Sequence, residues 1–256
     1  MSGFSTPAIL LRRIDHGDHD LIITFFSREK GRIPVIAKNA KKSRKRFSGL
    51  LEPFTVLELV CRSPRRGGMP VLQEAAMQTP FAEIRDDVVK TLYASYWAEL
   101  LCGWLEEYRP QAKIYRLLYY ALRGLDRNLA APAEMSIIFQ VRFLTLAGLA
   151  PRMDGCVACQ TPLDRMGSLA FFFDLEKGGI VCNGCAADSG RSRIRISPGT
   201  VKQLAWIQEN EIRTVQRLRL TGSAVKEGLL AMEAFVPYHL GRVPRSLRVL
   251  QQMRRQ

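Results

Sequence analysis

Four cysteines carry the most specific chemistry in this chain. Cys156-Val-Ala-Cys159 and Cys182-Asn-Gly-Cys185 form two CxxC pairs with 22 residues between them. A two-residue gap lets both thiolates of a turn face one ion, and two such turns complete the tetrahedral four-sulfur shell that Zn²⁺ favours. With sulfur at every position no place is left for a reactive water, so one structural zinc is expected, not a catalytic one. The spacer is longer than the common spacing of about 15–20 residues. Strand-like runs at 170–174 and 180–181, joined by 175–179, account for the excess as a hairpin that returns the second pair to the first, as in a zinc ribbon. CxxC also serves thioredoxin-like redox chemistry, but the βαβ setting that chemistry requires is missing. Cys61 and Cys102 lie inside apolar strand and helix patterns and read as buried structural residues.

The second candidate is electrostatic. Lys38, Lys41, Lys42, Arg44, Lys45 and Arg46 place six cations in nine positions, followed by Phe47. Such a run repels itself unless phosphates neutralise it. Phe47 has two readings of equal standing: a ring that stacks on an unpaired base, or an apolar anchor for the loop. Arg12, Arg13, Lys30 and Arg32 extend the same surface from neighbouring strands. Near the other end, Arg191, Arg193 and Arg195 alternate with Ser and Ile, which in an extended chain puts three guanidinium groups on one side as a second phosphate-binding edge.

A third cluster, Asp15-His16-Gly17-Asp18-His19-Asp20, resembles the HD pairs that ligate metals in phosphohydrolases. Those sites draw further His and Asp from several helices, and His239 is the one other histidine. Asp and Gly between two strands are turn formers, so a turn is expected here. A metal-dependent nuclease would need His16 and His19. Glu106-Glu107 and Asp86-Asp87 are adjacent pairs that diverge on a helix, and no Walker-type glycine loop occurs. A non-enzymatic role is expected.

These groups need elements to position them. Over 1–80, short runs rich in Ile, Val, Leu and Phe at 8–14, 21–27, 32–37, 54–61 and 71–77 are separated by Gly, Asp, Pro and Lys clusters, which predicts five strands in a small barrel of the OB or SH3-like kind. The basic run falls in a loop between the third and fourth strands. After Pro80 the period changes: apolar residues at i, i+4 predict helices over 88–108, 114–125 and 133–149. Ser197-Pro198 reads as an N-cap and first helical residue of a helix reaching about Glu209, and a further helix is expected over 223–238. The fold class is therefore α+β. A five-stranded barrel occupies 1–80, a mainly α-helical domain 81–152 and 190–256, and a four-cysteine zinc module is inserted at 153–189.

Charge follows these divisions. The 256-residue chain carries 38 Lys/Arg against 24 Asp/Glu, a net of +14. Residues 1–50 hold 11 against 4 and residues 190–256 hold 13 against 4, while the middle is slightly acidic. A surplus of this kind calls for a polyanionic partner, and DNA fits a basic loop on a barrel. Residues 153–189 carry only Arg165 and Lys177 against Asp154, Asp164, Asp174, Glu176 and Asp188, so the zinc module would repel phosphate and reads as a clasp. In the opening MSGFSTPAILLRRID the basic pair follows the apolar run, the reverse of a secretory leader, and no apolar stretch reaches the roughly 18–20 residues that span a bilayer. A cytoplasmic, nucleoid-associated protein is expected, where six cysteines do not form a disulfide framework.

The sequence also resembles the bacterial RecO family of DNA repair proteins. The likeness is carried by the stretch from Arg13 to Leu21, by Phe26-Ser-Arg-Glu-Lys-Gly-Arg32, Ala37-Lys38-Asn-Ala-Lys41 and Leu51-Glu-Pro-Phe54. It continues in Phe143-Leu-Thr-Leu-Ala-Gly-Leu-Ala-Pro151, in Phe173-Asp174 with Gly178-Gly179, and in Tyr238-His-Leu-Gly241. It implies an OB-fold, a helical domain and an inserted zinc module. By implication the protein binds single- and double-stranded DNA, anneals complementary strands, and acts with RecR to load RecA onto strands coated by single-strand-binding protein, whose tail it recognises. The alternative from another class is a zinc-containing transcription regulator that reads base edges. That reading predicts a recognition helix, whereas the charge here lies mainly in loops and strands.

Overall fold

The computed structural model describes residues 3–43, 46–64, 67–167, 170–186, 193–215 and 218–255. Five strands appear where the alternating runs place them: β1 Gly3–His16, β2 Asp20–Ser27, β3 Gly31–Ala37, β4 Val56–Arg62 and β5 Val71–Thr79. They close into a barrel in the order β1-β2-β3-β5-β4, the order of an OB-fold and not an SH3-like barrel. Closure depends on β1. Its first half pairs antiparallel with β4, from Gly3 opposite Arg62 to Ile9 opposite Val56. The second half pairs with β2, ending at His16 opposite Asp20. A register break between Leu10 and Arg12 bends the strand from one partnership to the other. The seam is completed where β3 meets β5 in parallel at Ile36 and Val71.

Period-two patterning fills the barrel. Along β3, Ile33, Val35 and Ala37 point inward while Arg32, Pro34 and Ile36 are partly exposed. The Cys61 thiol sits among these residues, and burial pushes its pKa up to about 12, which suits a packing residue. Cys102 is half-buried on a helix, so the reading of two buried cysteines holds for Cys61 and is softened for Cys102.

The helices group into two compact units: residues 1–126 with 244–256, and residues 127–243. This grouping follows packing, whereas the expected boundary at 80 follows the change of secondary structure. In the first unit α1 Ala82–Arg85, α2 Val88–Trp104 and α3 Ala112–Asp126 follow the barrel. Asp87 caps α2, its Oδ1 accepting the Val89 and Lys90 N–H groups at 2.8 and 3.1 Å. The helix stops four residues before the expected Tyr108. Arg32 on β3 is the reason: its Nε donates to the Leu105 carbonyl (2.8 Å), its Nη1 pairs with Glu107 (3.2 Å), and its own carbonyl accepts the Tyr108 N–H (3.0 Å).

In the second unit α4 Pro132–Leu146 is buried nearly all round, and even Ser136 and Gln140 are covered. Gln140 is satisfied by donating to the Ser136 carbonyl and Oγ, both at 3.1 Å. Around α4 lie α6 Pro198–Glu209 and α8 Gly222–Leu240. Ser197 caps α6 as expected, accepting the Thr200 N–H. The short helices α5 Asn183–Ala186 and α7 Ile212–Val215 complete this unit. The helix α9 Arg245–Met253 belongs to the first unit and packs on α2. Glu99 caps it, taking the N–H groups of Arg245 and Ser246 at 3.0 and 2.8 Å. Among the described residues no helix is long and apolar enough to cross a membrane.

Gly31 shows how tightly the β3 end is fitted. Its φ is +73°, and a Cβ there would overlap the Arg109 carbonyl. Gly31→Ala is expected to destabilise the protein by about 2 kcal/mol or more, from left-handed strain plus steric conflict, measured by urea denaturation of the full chain.

Candidate nucleic-acid interface and metal centre

The four-cysteine cluster, the candidate metal centre, is assembled by a strap and a small sheet. Strands β6 Phe171–Asp174, β7 Gly179–Val181 and β8 Arg193–Ile196 form a sheet in the order β7-β6-β8. The hairpin β6–β7 is the expected ribbon. Residues 152–157 lie along it: Arg152 N–H donates to the Gly178 carbonyl (2.8 Å), Ile180 N–H to Arg152 (3.0 Å) and Val157 N–H to Ile180 (2.9 Å). These bonds carry the first CxxC pair to the second. The four sulfurs lie within 4.8 Å of one another, and Cys159 and Cys182 Sγ are 3.8 Å apart. A tetrahedral zinc–thiolate centre with Zn–S near about 2.3 Å has S···S edges of about 3.8 Å, so the cluster fits a metal of that kind. Cys156 Sγ is buried and also accepts the N–H groups of Cys159 and Cys182 at 3.5 and 3.4 Å, which favours a thiolate.

Without a cation the cluster cannot ionise evenly. The Thr161 hydroxyl beside Cys159 lowers its pKa to about 6, while the Cys182 thiol beside Cys185 raises that one to about 12. A bound divalent ion is what would let all four carry charge together. Among the described residues these cysteines are the group of His, Cys, Asp or Glu close enough to hold a metal.

Arg193 has a different task from the one expected of it. It and Asp174 form a buried ion pair at 3.2 Å, their side chains 8% and 7% exposed. The guanidinium also donates to the Ala186 carbonyl. Asp174 Oδ1 in turn accepts the N–H groups of Glu176 and Lys177 in the β6–β7 turn (3.1 and 2.9 Å). The Arg193 charge is thus spent inside the ribbon, and the expectation that it faces phosphate is corrected. Arg195, two residues on, is exposed; Arg191 lies outside the described residues.

At the barrel, the sequence-predicted cations divide between two ends. Lys38, Lys41, Lys42 and Arg46 stand beyond the C-terminal end of β3, near the β1–β2 turn, with Arg12 and Arg13 alongside on β1. Arg44 and Lys45 lie outside the described residues. Lys30 and Arg32 sit at the other end of β3, roughly 20 Å away at about 3.3 Å per residue. Lys30 Nζ rests over the Phe4 ring, 4.7 Å from its centroid, and Arg32 braces the segment after α2 as described. These two do not join the loop.

The loop itself is held firmly. Phe47 is 4% exposed and joins Ala40 and Leu51 in the barrel core. Of its two readings the anchor is the correct one, because a buried ring cannot stack on a base. Arg46 covers it, 4.9 Å from the ring centroid, and donates Nη2 to the Lys38 carbonyl (3.0 Å). Residues 40–42 form a single 3-10 turn entered through Asn39 at φ 55°. Arg13 Nη1 donates to the Leu51 carbonyl (2.7 Å) and to Glu52 Oε1 (2.9 Å), fixing the return segment.

The Asp15–Asp20 stretch holds the expected turn at 17–19, with Gly17 at φ +57°, and Asp15, Gly17, His19 and Asp20 contact the loop. Asp20 Oδ1 accepts the Asn39 N–H (2.8 Å), and the His19 carbonyl accepts the Lys41 N–H (3.1 Å). Lys41 Nζ pairs with Asp15 (2.8 Å) and donates to the Gly17 carbonyl (3.2 Å), while Lys42 Nζ meets His19 Nε2 at 2.9 Å. A turn and a loop are both legible in the sequence, but not that one supports the other; the acidic residues flanking the turn are the available signal. A cleft of about 790 Å³ lies between β1 and the loop, lined by Arg13, Asp15, Lys41, Lys42, Ser43 and Glu52 among others.

Comparison with known proteins agrees with this architecture. Residues 1–81 match the family described as "Recombination protein O N terminal", and residues 85–248 match "Recombination protein O C terminal". The chain is 46% identical to the DNA repair protein RecO of Desulfosudis oleivorans over 258 residues, 99% of each chain. It is 40% identical to that of Desulfatibacillum aliphaticivorans over 256 residues, 100% of this chain and 99% of the relative. With that of Syntrophus aciditrophicus the identity is 31% over 251 residues, 98% and 96% of the two chains. Both halves of the chain thus match one family over nearly their whole length, and the chain belongs to the RecO family of DNA repair proteins.

Proposed function

We propose that this protein is a recombination mediator that binds single- and double-stranded DNA without sequence specificity. It promotes annealing of complementary strands and, with RecR, loads RecA onto strands coated by single-strand-binding protein, whose tail it engages. It would do this work in the cytoplasm, at the nucleoid. Family membership supports a role in DNA repair and recombination. The observation that carries the DNA-binding reading is the basic loop clamped at one end of a closed barrel, with Lys38, Lys41, Lys42 and Arg46 exposed around a buried Phe47 anchor. Neutralising phosphates on two strands lowers their mutual repulsion, which is what annealing requires and which needs no bond chemistry. A strand-annealing assay with and without single-strand-binding protein tests the whole reading; affinity that varies strongly among duplexes of equal length would favour a sequence-reading regulator instead.

The loop makes a quantitative prediction. Lys41→Gln with Lys42→Gln is expected to weaken binding and to flatten the log–log salt dependence by roughly 0.7–0.9 for each phosphate no longer neutralised. Fluorescence anisotropy across a salt series reads both, and an unchanged slope would remove this loop from the interface.

The metal we propose is zinc, in a structural role. Its binding supplies folding free energy on the order of 10–16 kcal/mol in small modules. One zinc per chain is expected by metal analysis, and none in Cys156→Ser. Chelation should release amide protection over 152–196 while the barrel amides of 3–79 stay protected in hydrogen exchange. Loss of DNA binding with an undisturbed ribbon would contradict a purely structural ion.

A further inference from the structure

The acidic turn at the barrel mouth takes no part in the phosphate contacts proposed above, yet it grips the very lysines that would make them. We propose that the β1–β2 turn is a counter-charge latch: Asp20 and the His19 carbonyl fix the loop backbone, while Asp15 holds the Lys41 ammonium in place of a phosphate and yields it when a strand binds. This rests on the reading that the basic loop binds DNA.

The two jobs fall on different groups. Backbone N–H groups of Asn39 and Lys41 are held by Asp20 Oδ1 and the His19 carbonyl at 2.8 and 3.1 Å. A strand that exchanges side-chain partners leaves those bonds in place, so the loop keeps its shape. The Lys41 side chain is the exchangeable part. The side chain is 27% exposed, whereas that of its partner Asp15 is 78% exposed. The carboxylate is therefore free to move aside, and the ammonium stays at the edge of the cleft, steadied by the Gly17 carbonyl at 3.2 Å.

Carboxylate and phosphate oxygens are interchangeable anionic acceptors for an ammonium. An exposed ion pair of this sort couples weakly, so a polyanion that engages several cations at once displaces it, while a lone anion gains little. The same arrangement recurs across the cleft. Glu52 pairs with Arg13 at 2.9 Å, and Arg13 is separately fixed by the Leu51 carbonyl at 2.7 Å. Both cations are thus positioned by neutral backbone oxygens and charge-balanced by removable carboxylates. One consequence is a salt dependence shallower than the cation count implies, because each strand phosphate replaces a protein anion.

Asp15→Asn in the full chain tests this by anisotropy with an oligo-dT strand over a salt series. Affinity at low salt is expected to rise about two- to fivefold, the range of one exposed pair, and the log–log slope to steepen by up to roughly 0.7. Asp20→Ala is expected to weaken binding and to speed hydrogen exchange at the Asn39 and Lys41 amides, with Asp20→Asn, which keeps an Oδ1 acceptor, restoring both. An Asp15→Asn protein that binds no better than wild type, or worse, overturns the latch. So does an Asp20→Asn protein that behaves like Asp20→Ala. Asp15→Asn alters an exposed side chain, so the test survives if Asp20→Ala fails to fold. If Lys41→Gln with Lys42→Gln leaves binding unchanged, the DNA reading of the loop falls, and the latch with it. If those lysines matter and Asp15→Asn does nothing, the latch alone falls.

Discussion

Like-charge repulsion in the loop between β3 and β4 is the constraint that the barrel end is built around. Six cations in nine residues would keep a free peptide extended and solvated. The structure overcomes this from below, where Ala40, Phe47 and Leu51 seat the loop in the barrel core. It also overcomes it from the side, where the β1–β2 turn supplies hydrogen-bond acceptors and a carboxylate. The closed strand order makes both supports possible, because β1 and β2 end in the turn beside the point where β3 delivers the loop. Rigidity under the charge matters, since a phosphate contact gains little if ordering the cation consumes the gain.

The sheet beside the four cysteines answers the opposite problem, strands too short to stand alone. Strands of four, three and four residues cannot bury enough apolar surface to hold themselves. Packing on α8, where the Phe173 and Phe235 rings meet edge to face at 5.2 Å, supplies part of the support, and two further devices add to it. Four cysteines gather around one point, and Arg193 ties β8 to β6 through Asp174 in a buried pair. A buried pair of this kind gives little net stability, but losing one partner would leave a charge stranded in the sheet.

Much of this was legible in the sequence because it follows period and spacing. Five strands, the capped helix after Ser197 and the ribbon hairpin all occur within a few residues of where the patterns put them. What the sequence hid was tertiary. Helix α2 ends early because Arg32, distant in sequence, takes the Leu105 carbonyl. Helix α9 is poorly marked in the sequence because it buries only Leu247 and Leu250 and borrows its N-terminal cap from Glu99. Phe47 could be read two ways until the barrel core was seen to hold it. Arg193 looked like its neighbour Arg195, since alternation gives a face but not what covers that face.

Counting cations therefore overstates the charge a strand would meet. Of those the sequence suggested, Arg193 is enclosed with Asp174, Arg32 is tied to Glu107 and the Leu105 carbonyl, and Lys30 lies over Phe4 at the far end of β3. Arg13 and Lys41 face the cleft but are already balanced by Glu52 and Asp15. A surface that presented all of these as bare charge would bind DNA tightly and release it slowly, since affinity among related complexes is set mostly by dissociation. The mediator proposed above would have to hand its strand on. Balancing Arg13 and Lys41 with removable carboxylates on a fixed backbone would lower the affinity without loosening the geometry, with residues that a charge tally counts only as subtraction.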